Sequence, residues 1–144
     1  MRLCDMVGRR LRAGGRRGRV VSVGAVYRPE DEGHFSKQTT LAQPIATGDE
    51  IYRTALKLLA ARDRRRLVGT LGVALSGLSD ADAGQLDLFA EPRHPKNERL
   101  EAAVDAIRDR FGEDAMQRSR LLGRAQVVRD RIAFGNTGHP NDRR

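Results

Sequence analysis

The chain has 144 residues and 16.0 kDa, room for one domain or for a small domain with a tail. Apolar residues are 39% and aromatics 4%, so the core is small; no apolar run approaches the roughly 18 residues of a membrane span, and the single Cys4 excludes a disulfide framework and a cysteine zinc site. The formal charge is +8, and only three of the 27 basic residues (Lys37, Lys57 and Lys96) are lysines, an arginine excess that suits a phosphate-bearing partner as well as a GC-rich genome.

The elements follow in chain order. Met1 to Arg12 is basic but has no apolar signal-peptide core, and lone cysteine usage points to a reducing, cytoplasmic setting. Leu3 to Ala13 places Leu3, Met6, Val7 and Leu11 at helical spacing, with Gly14-Gly15 as the stop. Arg19 to Tyr27 alternates as a strand with Val21, Val23, Ala25 and Tyr27 on one face; a turn at Pro29–Gly33 follows. Phe35 to Leu41 predicts an exposed Thr-rich strand that Pro44 closes.

Thr47-Gly-Asp-Glu50 is a capping box that opens a helix on Ile51, Ala55, Leu58 and Leu59, ending near Arg62. Leu67 to Leu78 predicts a third strand, with Leu71, Val73 and Leu75 inward and Thr70, Gly72, Ala74 and Ser76 outward. A last helix is expected from about Asn97 to Phe111 on Leu100, Val104 and Ile107, stopped by Gly112. This order implies an α+β fold: a small antiparallel sheet with helices on one face and the other face free. The expected organisation is an α+β domain over 1–80, a linker over 81–95, a helical segment over 96–122 and a disordered basic tail over 123–144.

Charge is segregated along this plan. Residues 1–28 hold eight arginines and one acid (net +7), residues 81–115 five basic and nine acidic groups (net −4), and residues 116–144 seven arginines and two acids (net +5). A basic nucleic-acid face and an acidic segment with a different task would produce that pattern. The free sheet face, built of small and hydroxyl side chains, suits close approach of a sugar–phosphate backbone and equally an ordinary solvated sheet. The three histidines are isolated, and the adjacent acids Asp49-Glu50 and Glu113-Asp114 lack a third partner, so neither a metal nor a cofactor is expected.

Three segments together resemble the Y-family translesion DNA polymerases of the DNA polymerase IV type: GRVVSVGAVY (18–27), TTLAQPIATGDEIYRTALKLLAA (39–61) and RLVGTLGVALSGLSDADAGQLDLFAEP (66–92), extending into RFGEDAMQRSRLL (110–122). The likeness is to the C-terminal "little finger" domain and tail. No segment resembles the palm that carries the catalytic acids, so the resemblance implies a non-catalytic fragment without a small-molecule substrate, whose first strand is missing before Met1. It implies DNA contacts from Arg17, Arg19, Lys37, Thr39 and Thr70, with Arg64, Arg65 and Arg66 as either phosphate contacts or a solvated turn. Outward positions that are often Arg or Lys in relatives are here Gly24, Val26, Thr39, Thr70 and Ala74.

Gln85-Leu86-Asp87-Leu88-Phe89 resembles the sliding-clamp-binding motif of bacterial replication proteins. Leu88 and Phe89 would be the pocket anchors, Leu86 a secondary contact and Gln85 an amide partner, with Asp87 facing solvent. The competing reading packs this apolar patch on the Leu100/Val104/Ile107 helix. A fragment that binds DNA and the clamp is therefore expected, the alternatives being a stand-alone clamp-binding protein and a generic basic nucleic-acid binder.

Overall fold

A computed structural model of the chain describes residues 1–29, 31–81, 95–112, 115, 116 and 119. Its elements run α1 (Arg2–Ala13), β1 (Arg16–Tyr27), β2 (His34–Ile45), α2 (Gly48–Leu59), β3 (Val68–Asp80) and α3 (Pro95–Phe111). The strands make one antiparallel sheet in the order β2-β1-β3, the α+β layer that the element order implies. β2 and β3 both oppose β1 and are therefore parallel to each other, and α2 is the crossover that a parallel pair requires.

Register decides which side chains meet. Val21 lies opposite Thr39 and Leu75, Val23 opposite Lys37 and Val73, and Ala25 opposite Phe35 and Leu71. Directly opposed residues share a face, and this is the face that α1 and α2 cover. Cys4 and Leu11 from α1, Ile45 and Ala46 after the bulge of β2, and Ile51, Ala55 and Leu58 from α2 join Val21 and Val23 in one buried cluster. Val21 and Ile51 are fully buried at 0% exposure, each worth about 1.5–3 kcal/mol of burial.

Two close approaches fix the helices. A Cβ at Gly8 would stand 2.8 Å from the Ala46 carbonyl and 3.0 Å from the Gly48 nitrogen, so only glycine lets α1 lie across the start of α2. Thr47 caps α2 as expected: its hydroxyl accepts from the Glu50 N–H at 3.4 Å and donates to the Glu50 carboxylate at 2.5 Å. Gly15, at φ 61, turns the end of α1 into β1.

Strands run longer than the apolar alternation predicts. β1 begins at Arg16, because Arg16 and Arg17 pair with Asp80 and Ser79 of a β3 that also outlasts its apolar run. Pro44 does not close β2. Between Gly18 and Val20 the partner jumps from Ile45 to Thr40, and Pro44 sits inside that irregular stretch of an edge strand, where its missing N–H costs no ladder bond. α2 stops at Leu59, with turn hydrogen bonds carrying the chain through Ala60, Ala61 and Arg62.

α3 has the expected length and stops at Gly112, whose φ is 94, but its orientation is the reverse of the apolar-face expectation. Leu100 is 63% exposed and Phe111 67%, whereas Glu101 is only 8% exposed. The helix meets the body with its acids. No helix among the described residues is long and apolar enough to cross a membrane.

Candidate nucleic-acid interface

The open face of the sheet follows from the other parity of the same register. Its central row is Val20, Ser22, Gly24 and Val26; Thr40, Gln38, Ser36 and His34 of β2 lie opposite on one side, and Ser76, Ala74, Gly72 and Thr70 of β3 on the other. None of these is Lys, Arg, Asp or Glu, so the face is bare of acidic and strongly basic side chains. Gly24 opposes Gly72 at its middle, and a Cβ placed on Gly24 would meet nothing within 4 Å. Ser22 donates across the face to Gln38 at 3.3 Å.

The basic residues stand at the two ends. At the start of β1, Arg16 is exposed and 3.9 Å from Asp80, and exposed Arg19 donates through Nε to the Leu41 carbonyl at 3.2 Å. At the hairpin end, Arg28, Arg64 and Arg65 are exposed, and the Arg65 N–H donates to Asp63 Oδ1 at 2.9 Å within the α2–β3 turn. Ten residues of strand separate Arg17 from Tyr27, so the ends lie about 33 Å apart.

The structure sorts the sequence-predicted DNA residues into three groups. Thr70, Arg19, Arg64 and Arg65 face solvent on the open face or its margins. Lys37 and Thr39 do not join the open face; opposite Val23 and Val21, they lie on the side that the helices cover, which corrects the outward placement of Thr39. The signal lay in β2 itself: Phe35 and Leu41 share the parity of Lys37 and Thr39, and Leu41 packs against the core cluster, which marks that side as inward.

Arg17 and Arg66 are already engaged. The Arg66 guanidinium lies 4.2 Å from the Tyr27 ring centroid and donates to the Asp31 carbonyl, while Asp31 Oδ2 accepts the Leu67 N–H at 2.6 Å. Arg66 thereby ties the β1–β2 turn to the start of β3. Arg17 makes a bidentate pair with Glu98 of α3 at 2.8 and 3.1 Å. Two further arginines, absent from the sequence reading, share that helix. Arg12 binds Asp105 at 2.7 and 3.0 Å and Glu101 at 3.1 Å, and Arg9 binds Asp109 at 2.6 Å. The signal was present in the spacing of acids at 98, 101, 105 and 109, one face of a helix.

The remaining candidate chemistry is sparse. Burial pushes the Cys4 thiol up, so it stays protonated and unreactive. Among the described residues no group of three or more His, Cys, Asp or Glu is placed to hold a metal ion. The clamp-motif residues Gln85, Leu86, Asp87, Leu88 and Phe89 lie outside the described residues.

An open-faced sheet backed by two helices, with the strand sequences quoted above, defines the class: the chain belongs to the impB/mucB/samB family C-terminal domain, which residues 1–88 match, and so to the C-terminal region of Y-family polymerases. Curated relatives include DNA polymerase IV proteins. That of Pelotomaculum thermopropionicum is 41% identical over 91% of this chain and 32% of its own length. Those of Clostridium acetobutylicum and Caulobacter vibrioides are each 32% identical over 83% of this chain, covering 30% and 29% of their lengths. The chain thus spans about a third of the relatives it matches.

Proposed function

We propose that this domain holds duplex DNA by its backbone across the open sheet face and serves lesion bypass as a binding element, not a catalytic one. The observation that carries the reading is the bare face set between two cationic margins. Small side chains let a sugar–phosphate backbone come close, the hydroxyls of Thr70 and Ser76 offer donors, and the marginal arginines neutralise phosphates. The spacing of the margins, about 33 Å, is close to one duplex turn of about 34 Å. No base-reading element is present on that face, so binding is sequence-independent and steeply salt-sensitive.

Gly24→Arg tests this by gain. Since a Cβ there meets no neighbour, the new guanidinium adds one phosphate contact and steepens the log–log salt slope of duplex binding by about 0.9. Arg64→Ala with Arg65→Ala flattens it by about 1.8. Equal slopes in all three proteins would overturn the reading. Purified chain is expected to extend no primer with Mg²⁺ or Mn²⁺.

The same reading gives residues 85–89 the bacterial sliding clamp as partner, supported by the motif itself within a chain of this family. A peptide spanning Ala81 to Pro92 is expected to bind the clamp with Kd on the order of micromolar. Phe89→Ala and Leu88→Ala each cost about 2 kcal/mol or more, Gln85→Ala about 1 kcal/mol, and Asp87→Ser almost nothing. A Phe89→Ala peptide that binds like the parent sinks the assignment.

A further inference from the structure

We propose that α3 is an electrostatic strap, competing with nucleic-acid phosphates for a cationic surface that continues the margin at the start of β1. The surface consists of Arg9 and Arg12 on one face of α1, with Arg16 and Arg17 at the entry to β1. The inference rests on the DNA reading above for the identity of the competitor, but not for the strap itself.

Three observations carry it. The first is complementarity: Glu98, Glu101, Asp105 and Asp109 recur at spacings of three and four residues and meet Arg17, Arg12 and Arg9 at 2.6 to 3.1 Å. At 1.5 Å of rise per residue this is a row of carboxylates about 16 Å long, the same sign and style of array as a phosphate backbone. The bidentate Arg17–Glu98 pair uses the fork geometry with which arginine also takes phosphate.

The second is the scarcity of apolar anchoring. Leu100 and Phe111 of α3 are 63% and 67% exposed, Val104 is half-buried, and no described α3 side chain belongs to the buried core cluster. A helix held mainly by ion pairs, with Val104 the one half-buried apolar residue among its described side chains, is one that salt or a polyanion can lift. The third is a cavity of about 120 Å³ lined by Arg12, Arg16, Arg17, Thr47 and Glu98. Three arginines converge on it, and the single carboxylate on its wall comes from α3. With α3 lifted, that carboxylate leaves and the space presents arginine forks and the first turn of α2, where an anion is favoured.

Occupancy is reciprocal: what α3 does to duplex affinity, the duplex does to α3 docking. The experiment uses the full chain and reads two quantities, amide hydrogen exchange over residues 97–109 and the salt slope of duplex binding. Sodium polyphosphate is expected to accelerate α3 exchange at low salt, as is raising the salt from about 50 to 200 mM. In a variant carrying Glu98→Gln, Glu101→Gln, Asp105→Asn and Asp109→Asn, α3 exchanges fast without polyanion. Duplex binding of that variant tightens at low salt, and its slope steepens by about 2.7, the value for three uncovered phosphate contacts.

Exchange over 97–109 that ignores both salt and polyphosphate overturns the strap. So does a duplex slope that stays at the parent value although α3 is released, because the arginines then do not meet DNA. If polyphosphate lifts α3 but no duplex binds either protein, the anion competition stands and the open-face reading fails. The parent's response to polyphosphate keeps the test valid should the quadruple variant fold poorly.

Discussion

α2 and α3 are attached to the same body by contrasting physics. α2 inserts Ile51, Ala55 and Leu58 into the core and exposes its charges. α3 turns four carboxylates toward three arginines and exposes Leu100, Ile107 and Phe111. Apolar burial responds little to ionic strength, whereas an outer pair such as Arg9–Asp109 gives about 0–1 kcal/mol and weakens with salt. The Arg12 pairs, with side chains 10–16% exposed, are screened less. One domain therefore contains a permanent part and a detachable part. The division coincides with the family boundary, since residues 1–88 hold the matched domain and α3 lies beyond it.

The strongest way to test the permanent part is Ile51→Ala. The side chain is 0% exposed and central to the cluster, so its loss costs about 3 kcal/mol through lost burial and the cavity left behind. The cost, measured by urea denaturation, should be the same at low and high salt. A strongly salt-dependent value would mean that α2, too, is held by charge.

Arg12→Ala probes the junction between the two parts. Its guanidinium serves Asp105 and Glu101 of α3 and also donates to the Ala46 carbonyl of the body at 2.7 Å. Removing it leaves half-buried carboxylates and a carbonyl without their donor, about 2 kcal/mol at low salt. If α3 is the main beneficiary, hydrogen exchange over 97–109 should accelerate together with the loss. A loss that leaves exchange over 97–109 unchanged would locate the role of Arg12 in the body, at Ala46, and would weaken the contrast.

How far the sequence anticipated this division depends on what signal each element carried. β1 was legible because Val21, Val23 and Ala25 alternate with small residues and one face is buried. α2 was legible because the Thr47/Glu50 box and the Ile51/Ala55/Leu58 face agree. The ends of the strands were not, since Arg16 and Arg17 are held by backbone pairing to Ser79 and Asp80, which leaves no pattern in side-chain polarity. Thr39 lies inward because it shares the parity of Phe35 and Leu41, two apolar residues set too far apart among polar ones to read as an alternation. α3 departs from the apolar-stripe expectation, since only Val104 of Leu100, Val104 and Ile107 is half-buried. A second periodicity, of acids, ran along the opposite side, and the arginine-rich surface of α1 selected that one. Neither stripe decides by itself; the partner's charge does.

Thr47→Ala should cost about 1 kcal/mol, the ordinary loss of a helix N-cap. Both hydrogen bonds of the Thr47 hydroxyl stay inside the first turn of α2, so the loss belongs to the permanent part and should leave hydrogen exchange over 97–109 unchanged. Faster exchange there would show that the α2 cap also positions α3.

Leu100→Ala has the smallest expected effect and separates the two modes of attachment most cleanly. On the apolar-face reading of α3 it would remove a buried anchor, at about 2–5 kcal/mol. In the structure the side chain is 63% exposed, and a surface truncation of this kind falls within about 0.5 kcal/mol. Alanine is also the better helix former, which offsets part of any lost contact. Both urea stability and hydrogen exchange over 97–109 should therefore match the parent, at low and high salt alike. A loss near 2 kcal/mol would place Leu100 against the body and turn α3 over, breaking the contrast with α2 and the carboxylate strap together.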